Sequence, residues 1–351
     1  MNRKKLRGVY DKLVNTIVIS LKILTFTKRD TLREAKLKNF VRSSLTIISR
    51  SFVKKFLSVE WKKNSNFVEK KYDQLSGSYI DYKYHKGKQM SGFYYVDNVI
   101  KKISYFEQDK NIMNEYYKVL SEYKFKNILE VGAGELTTLG SMASFLGDDI
   151  EYYAMDLSLN RVYQGREDFL KRHNCKLQVC KANAVALPYP DNFFDMVFTS
   201  HCLEHMPYDY KKAIDEMCRV AKKVIVLFEP SYEMGTFSQK IKMKASDYVR
   251  GIPNYVNSIK NVRLSKHFFL KNGSFFNRTA CHVIEVKKSQ DKKKDFNYSC
   301  PFCKTKLKEH KTYLLCPHCE KLYFIFEGIP LLDDKYSFYV GNKYKQKLKE
   351  E

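Results

Sequence analysis

The sequence predicts an α/β protein with a mainly parallel sheet. From Asn127 onwards, short apolar runs alternate with amphipathic segments, and a Gly-x-Gly turn follows the first of these runs. Such alternation is typical of strand-helix-strand units and therefore of a parallel sheet. The last two apolar runs are separated only by Asn272-Gly273. They are expected to add an antiparallel pair to the sheet, which gives seven strands.

The elements of this core can be assigned in order along the chain. The predicted strands are 128–131, 150–155, 177–180, 196–199, 224–228, 262–270 and 280–286, and the predicted helices are 108–123, 138–146, 161–173 and 210–220. Residues 72–107 are rich in tyrosine and are expected to be irregular. Residues 231–260 have the composition of a polar insert.

Composition excludes several classes of protein. At 44% apolar and 15% aromatic residues, the chain is not of the disordered class. No run reaches the roughly 18 apolar residues of a membrane-spanning helix, and no small-residue cleavage site follows the apolar stretch 13–26. Four of the nine cysteines form two CxxC pairs, which favours a reducing compartment. We expect a cytoplasmic protein, and peripheral attachment to the inner face of the membrane is a further hypothesis.

Positive charge is concentrated outside the predicted core. The 351 residues carry 63 Lys and Arg against 39 Asp and Glu, a net charge of +24, of which residues 1–71 contribute +14. Two stretches of that segment have helical spacing with interspersed basic residues, 13–24 and 41–56. Such helices can bind an anionic membrane or RNA, or can pack on their own domain as a lid. These alternatives remain open.

Acidic and small residues follow the first three predicted strands. The first strand ends in Glu130-Val131-Gly132-Ala133-Gly134, the second in Asp156, and the third is followed by Asn183-Ala184. Thr137 stands where a dinucleotide fingerprint has its third glycine, so a pyrophosphate site is disfavoured. The carboxyl ends of parallel strands meet at one edge of a sheet, where ligands bind. These residues are therefore expected to share one ligand site.

Further motifs accompany this pattern. They are Leu187-Pro188-Tyr189-Pro190-Asp191-Asn192-Phe193-Phe194-Asp195, His201-Cys202-Leu203-Glu204-His205 and Glu229-Pro230. Over about residues 110–286 the sequence resembles the class I S-adenosylmethionine-dependent methyltransferases, with a methyltransferase type 11-like core. The resemblance implies a Rossmann-like seven-stranded sheet, methyltransferase activity and S-adenosyl-L-methionine as cofactor.

The resemblance also implies roles for individual residues. Gly132 and Gly134 would pass beneath the methionine part of the cofactor, and Glu130 would help to hold the polar groups there. Asp156 would accept hydrogen bonds from the ribose hydroxyls, as one carboxylate can accept from both. Asn183 and Ala184 would border the adenine. Leu136 departs from the family pattern, which has a third glycine at that position.

The segment after the fourth strand bears on the methyl acceptor. His201, Glu204 and His205 are candidate bases or substrate contacts there, with His201 nearest the strand and the best candidate for a catalytic role. The amino-group methylators of the family have an Asn/Asp-Pro-Pro-aromatic loop at this point, whereas this chain has Thr199-Ser200-His201-Cys202. An oxygen, carboxylate or carbon acceptor is favoured over an exocyclic amine.

The expected acceptor is a small molecule, a lipid-linked molecule or a glycan. One alternative is a tRNA-modifying methyltransferase, which the positive charge would suit. Another is a cofactor-binding scaffold without catalysis. The sequence says nothing of the oligomeric state, and the sequon Asn277-Arg278-Thr279 would be unused without export.

Four cysteines near the C-terminus have the spacing of a structural metal site. Cys300 and Cys303 are separated by twelve residues from Cys316 and Cys319, which matches a tetrahedral four-thiolate zinc site. Residues 300–332 resemble the small zinc-ribbon activator of tRNA and translation-factor methyltransferases. This resemblance implies a ribbon that adds to the sheet of a methyltransferase, here within the same chain. The predicted domains are a helical extension (1–71), a methyltransferase domain (72–288), and a ribbon with a basic tail (289–351).

Overall fold

The computed structural model describes residues 31–57, 65–287 and 296–340, with the side chains of 48–57 excepted. The predicted amphipathic stretch 13–24 lies outside these residues. The described helices are α1 Leu32–Leu57, α2 Ser65–Asp73, α3 Ser78–Tyr84, α4 Tyr105–Leu120, α5 Thr137–Leu146, α6 Leu159–Arg172, α7 Tyr210–Val220, α8 Phe237–Ala245 and α9 Ile252–Ser258. Among them, none has both the length and the apolar character needed to cross a bilayer.

Several of these helices have a short polar residue at the N-cap position. The hydroxyl of Ser104 accepts a hydrogen bond from the third amide of α4, and Ser158 caps α6 in the same way. Thr236 and Gln239 form a reciprocal capping box at the start of α8. Each cap pairs a backbone amide that has no partner inside the helix. These caps fix where α4, α6 and α8 begin.

The strands form one large sheet and one small one. They are β1 Ser91–Val96, β2 Val99–Ser104, β3 Asn127–Val131, β4 Glu151–Asp156, β5 Leu177–Ala182, β6 Phe194–Ser200, β7 Ala221–Pro230, β8 Val262–Phe269, β9 Gly273–Ser274, β10 Thr279–Val286, β11 Lys308–Glu309, β12 Tyr313–Leu315, β13 Lys321–Phe326, β14 Ile329–Leu332 and β15 Ser337–Tyr339.

The centre of the large sheet confirms the predicted fold class. Its order is β5-β4-β3-β6-β7-β10-β8, in which the first five strands are parallel and β10 runs antiparallel to both of its neighbours. Hydrophobic clusters cover both faces of these strands. Strands buried on both faces read as continuous apolar runs, which is why the sequence revealed them.

Two segments are more regular than their sequences suggested. Residues 72–107 were expected to be irregular, but they contain α3 and the hairpin β1-β2. Asp97 and Asn98 form its two-residue turn with φ of 51° and 66°, a conformation that Asp and Asn tolerate better than most residues. The short β9 then pairs with β1 to complete a three-stranded sheet. The polar insert 231–260 contains α8 and α9.

The C-terminal segment extends the large sheet at its β5 edge. Strand β14 pairs with β5 in parallel, with Leu331 opposite Lys181 and Leu332 opposite Ala182. Strands β11, β12 and β13 continue outwards from β14, and β15 pairs with β13. Tyr298 and Tyr323 belong to the same buried cluster as the core side chains. The segment is therefore packed on the core, as the resemblance to a sheet-adding ribbon implied.

A buried ion cluster joins three parts of the chain at this edge. Lys181 of β5 lies 3.1 Å from Glu69 of α2 and 3.5 Å from Asp333, and its side chain is 3% exposed. Glu69 also pairs with Lys335 at 2.9 Å and accepts a hydrogen bond from the Tyr336 hydroxyl at 2.8 Å. Burial alone would raise the pKa of Glu69, but the two lysines and the hydroxyl hold it below its usual value. Glu69 is therefore a fully partnered carboxylate.

Replacement of Lys181 by alanine should lower the free energy of unfolding by about 3 kcal/mol, because it leaves buried carboxylates short of a cation. The matched control is Lys176→Ala, which removes a lysine 82% exposed and paired with the exposed Glu151. That change should cost less than about 0.5 kcal/mol. Urea denaturation measures both. Equal losses in the two variants would show that the buried cluster contributes little.

Candidate functional site

A cavity of about 760 Å³ opens at the carboxyl ends of β3, β4, β5 and β6. The residues predicted to bind a cofactor all line it: Glu130, Gly132, Gly134, Asp156, Asn183 and Ala184. His201, from the end of β6, lines the same cavity, as do Glu204 and His205. The structure therefore brings the candidate residues together, and their individual roles remain predictions.

Glu130 is a buried carboxyl with one oxygen unpaired. Its side chain lies at the end of β3, the residue is 1% exposed, and Oε2 has no hydrogen-bond partner among the described residues. Burial raises the pKa of Glu130 to about 8. A buried oxygen of this kind is costly unless something donates to it. It fits a ligand with a donor or cationic group.

Asp156 is held rigidly at the cavity wall. One carboxylate oxygen accepts from the amide of Gly134 and the other from the amide of Ser158, each at 2.8 Å. Each oxygen can accept a further hydrogen bond. Asn183 uses its side-chain oxygen to accept from the Val185 amide at 3.2 Å, which fixes the turn after β5. Two neighbouring hydroxyls of a ligand could thus be bound without any movement of Asp156.

The glycines of the first turn are required by close packing within the protein. A Cβ atom on Gly132 would lie 2.3 Å from the Cys202 sulfur, and one on Gly134 would lie 2.5 Å from the Arg161 guanidinium. Both have positive φ, 75° and 54°. Leu136 has the same left-handed conformation, with φ of 54°, and is 2% exposed. The backbone shape of the turn is therefore retained where the family pattern has glycine, at a cost of about 1–2 kcal/mol.

A chain of hydrogen-bonding side chains crosses the cavity from α2 to β10. The Tyr72 hydroxyl lies 2.6 Å from Nε2 of His205, and that nitrogen lies 3.2 Å from Glu204 Oε1. Nδ1 of His201 lies 3.1 Å from Glu204 Oε2, and its Nε2 lies 2.9 Å from the Thr279 hydroxyl. Glu204 is therefore the centre of the chain, with an imidazole on each carboxylate oxygen.

The contacts among these hydrogen-bonded side chains shift the pKa values of Glu204 and His201. Burial alone would raise the pKa of Glu204, but the two imidazoles lower it well below its usual value. Burial alone would lower the pKa of His201, yet Glu204 raises it above 6.5. Glu204 therefore makes the His201 imidazole more basic than a free one.

Glu229 positions the loop that carries His201 and Glu204. Its carboxylate accepts from the Thr199 hydroxyl at 2.8 Å, and from the amides of Cys202 and Leu203 at 2.9 Å. The amide of Glu204 donates to it at 3.0 Å. Glu229 is buried at the end of β7. One side chain thereby satisfies three consecutive loop amides and fixes the path of the backbone beside the cavity.

Helices α2 and α3, which precede the core, cover one side of the cavity. Tyr72 and Tyr79 lie over the Arg161 guanidinium, 5.0 and 4.5 Å from its carbon to the ring centroids. Glu135 accepts from the amides of Gly77 at 3.1 Å and Ile80 at 2.8 Å. These contacts tie α2 and α3 to the first turn of the core. Helices α2 and α3 thus form a lid over the cavity.

Several residues of the site were not found from the sequence. Asn277 donates from Nδ2 to Glu204 at 2.9 Å, while its buried Oδ1 has no partner among the described residues. Thr279 meets His201 directly. In the sequence, Asn277 and Thr279 stand out only as parts of a glycosylation sequon. For Tyr72 and Tyr79, the unusual tyrosine content of the segment was a signal of their role as cavity walls.

The four predicted metal ligands lie together. All four sulfur atoms of Cys300, Cys303, Cys316 and Cys319 lie within 4.8 Å of one another. The Cys300 and Cys319 sulfurs are 3.5 Å apart, and those of Cys303 and Cys316 are 3.4 Å apart. Sulfurs around tetrahedral zinc are about 3.8 Å apart. The cluster is therefore compatible with a zinc ion held by four thiolates, and the imidazoles of His310 and His318 are not needed.

Comparison with known proteins supports the resemblance. Residues 129–227 match the model of the methyltransferase domain family. A demethylmenaquinone methyltransferase of Shouchella clausii is 29% identical over 147 residues, which are 40% of this chain and 61% of that protein. The enzyme of the same name from Anoxybacillus flavithermus is 34% identical over 113 residues, 31% of this chain and 47% of that protein. The chain thus spans less than two thirds of the length of either relative.

Among solved structures, magnesium protoporphyrin IX methyltransferase from Synechocystis PCC 6803 with bound S-adenosylmethionine is 11% identical. The match covers 64% of this chain and 97% of that one, with a TM-score of 0.42. The match of residues 129–227 to the family model confirms the prediction of a methyltransferase-like core.

Elemental analysis of the purified chain should give one zinc per molecule. Because Cys300 and Cys316 are buried in the same cluster as core side chains, chelation should increase hydrogen exchange in residues 298–332 and also along β5. The Cys316→Ser variant should show the same change without a chelator, whereas Cys175→Ser, outside the cluster, should not. A metal-free chain with unchanged exchange in the ribbon would contradict the zinc assignment.

Proposed function

We propose that this chain transfers a methyl group from S-adenosyl-L-methionine to a hydroxylated small-molecule acceptor. The observation that carries the proposal is that the predicted cofactor residues and the His201–Glu204 pair line one cavity. Glu130, at the end of β3, lies on the same cavity wall as Asp156, and Asn277 lies beside the His201–Glu204 pair. A cofactor and an acceptor could therefore be held side by side.

The cavity residues fit the cofactor by their chemistry. Glu130 suits the cationic amino group, Asp156 suits the two ribose hydroxyls, and Asn183 with Ala184 borders a place for the adenine. No pyrophosphate is present in this cofactor, in keeping with a turn that lacks the dinucleotide fingerprint. When bound, S-adenosylmethionine supplies an electrophilic methyl group on a sulfonium sulfur.

The acceptor is proposed to be a phenol or hydroquinone, methylated at oxygen or at a ring carbon next to the hydroxyl. His201 would remove the proton of the reacting hydroxyl. The freed electron pair of the oxygen, or the ring π pair that it activates, forms the new bond to the methyl carbon as the carbon–sulfur bond breaks. Methylation at carbon ends when the ring proton is lost to solvent water and the ring becomes aromatic again. Tyr72, Tyr79 and Tyr105 provide aromatic walls for such a ring.

The names of the relatives favour a lipid-linked member of this class. The reduced, quinol form of a demethylmenaquinone carries a ring of the proposed kind, and the loop Thr199 to Cys202 lacks the motif of amino-group methylators. The second candidate is a tRNA acceptor, which rests on the resemblance of the C-terminal segment to the ribbon activators. The addition of β14 to β5 accords with that resemblance but leaves the acceptor open.

Loss of the Asp156 carboxylate should weaken cofactor binding by about 1.5–3 kcal/mol, because two ribose hydroxyls lose a charged acceptor. Calorimetric titration of Asp156→Ala with S-adenosylmethionine measures this loss. The control is Asp148→Ala, at an exposed carboxylate outside the cavity, which should bind like the parent. Unchanged affinity of the Asp156 variant would place the cofactor elsewhere.

Turnover should depend on neutral His201. With a demethylated polyprenyl naphthoquinol and cofactor labelled in the methyl group, kcat should fall as pH drops through the raised pKa of His201. His201→Asn, which tolerates the positive φ, should lower kcat by about 10²–10⁴-fold. Glu204→Gln should move the acid limb to lower pH, because it removes the charge that raises the pKa.

The control for these changes is His85→Asn, on an exposed segment. Label transferred to tRNA but not to the quinol would support the second candidate. Absence of transfer to any fraction of a cell extract would indicate a scaffold without catalysis.

A further inference from the structure

Helix α1 has an unusual distribution of side chains. In a surface helix, the large apolar residues normally face the protein. Among the described side chains of α1, residues 32–47, the buried one is Ser43, at 6% exposure, whereas Leu37 is 62% exposed and Val41 and Leu45 are each about 40% exposed. Those three apolar residues are spaced by four and form a stripe on one side of the helix. Within the described part of the chain, nothing covers this stripe.

The stripe is surrounded by positive charge. Helix α1 contains seven Lys and Arg residues and a single acid, Glu34. Helix α8, which packs beside it, contains three lysines and no acid, and Phe237 at its first turn is 74% exposed. An exposed apolar stripe set among cations is the pattern of an interfacial helix on anionic lipids. It is not the pattern of a subunit interface, whose core is depleted in charged residues.

A groove of about 580 Å³ runs between these two helices. Leu37, Phe40, Ile100, Phe275 and Phe276 supply its apolar lining, and Arg33 and Lys36 are its basic residues on α1. The Lys36 amino group lies 5.4 Å from the centre of the Phe275 ring. The groove thus combines an apolar wall with cations on one helix, as a lipid chain and its headgroup would require.

The groove and the reaction cavity share a wall. On β1, Tyr94 lines the cavity and Tyr95 the groove, and in the loop after β9 Asn277 lines the cavity while Phe275 and Phe276 line the groove. The charge of Lys242 on α8 interacts both with Glu204 at the cavity and with Arg42 on α1. Burial lowers its pKa to about 8, while Glu204 raises it and Arg42 of α1 lowers it further. The basic face is therefore adjacent to the acceptor side of the cavity.

We propose that α1 and α8 form a docking face for an anionic lipid bilayer, with Leu37, Val41 and Leu45 inserted between headgroups. Arg33, Lys36 and Arg42 would contact lipid phosphates, and the groove would receive an acyl or polyprenyl chain. The inference goes beyond the proposed methyl transfer, since docking is expected whatever the acceptor. If the acceptor is lipid-linked, it would be reached from the bilayer through the groove beside the cavity.

Sedimentation of the full chain with vesicles tests the docking face. Phosphatidylglycerol vesicles should retain the parent, and phosphatidylcholine vesicles should retain it much less, because each basic residue near an anionic surface adds to binding. The triple variant Leu37→Ser, Val41→Ser, Leu45→Ser should bind phosphatidylglycerol vesicles at least about tenfold more weakly. The matched control replaces three apolar residues of comparable exposure outside α1 and α8, Val99, Leu170 and Phe326, by serine and should bind like the parent.

A fluorescence measurement separates insertion from other modes of binding. Trp61 is the only tryptophan of the chain, so Val41→Trp in a Trp61→Phe background places the single indole on the stripe. Its emission should shift to shorter wavelength with phosphatidylglycerol vesicles. An unshifted emission, equal vesicle binding by the triple and control variants, or loss of vesicle binding on addition of single-stranded RNA that binds the same face would each overturn the proposal. Cofactor affinity of the triple variant should be unchanged, so a failure of docking is distinct from a failure of methyl transfer.

Discussion

The buried ion cluster of Lys181, Glu69 and Asp333 fixes three separate parts of the chain relative to one another. They are strand β5, helix α2 and the segment that follows β14. Lys181 lies one residue before the end of β5, and Asn183 and Ala184 follow it at the cavity. Glu69 lies one helical turn before Tyr72, whose hydroxyl meets His205. A buried ion pair is stable only while each charge keeps its partner. The position of the lid over the site, and that of the ribbon at the sheet edge, therefore depend on the same few atoms.

Carboxylates do most of the positioning within the site. Glu229 holds three successive amides of the loop after β6, and Asp156 holds the amide of Gly134 in the glycine turn and that of Ser158 before α6. Glu204 is held by two imidazoles and Asn277. Because these acceptors are satisfied by the protein itself, they stay in place without a ligand. Glu130 and Asn277 each keep one buried oxygen without a partner among the described residues.

The parts of this fold that could be read from the sequence are those with a local cause. Strands buried on both faces appear as apolar runs, and ligand residues follow them at the strand ends, so Glu130, Asp156 and Asn183 could be placed in advance. The contacts of Tyr72 with His205 and of Asn277 with Glu204 join residues 133 and 73 positions apart. No periodicity encodes such contacts. The hairpin before the core was missed because its turn uses Asp97 and Asn98 without a glycine.

The parallel pairing of β14 with β5 has a consequence for assembly. The eight residues 288–295 connect the core to the segment that carries β14, so the two strands meet as parts of one molecule. A short connection of this kind corresponds to an effective concentration on the order of millimolar. Closure of the β5 edge is then a first-order process, independent of dilution. The β5 edge of each molecule is thereby covered by a segment of the same molecule.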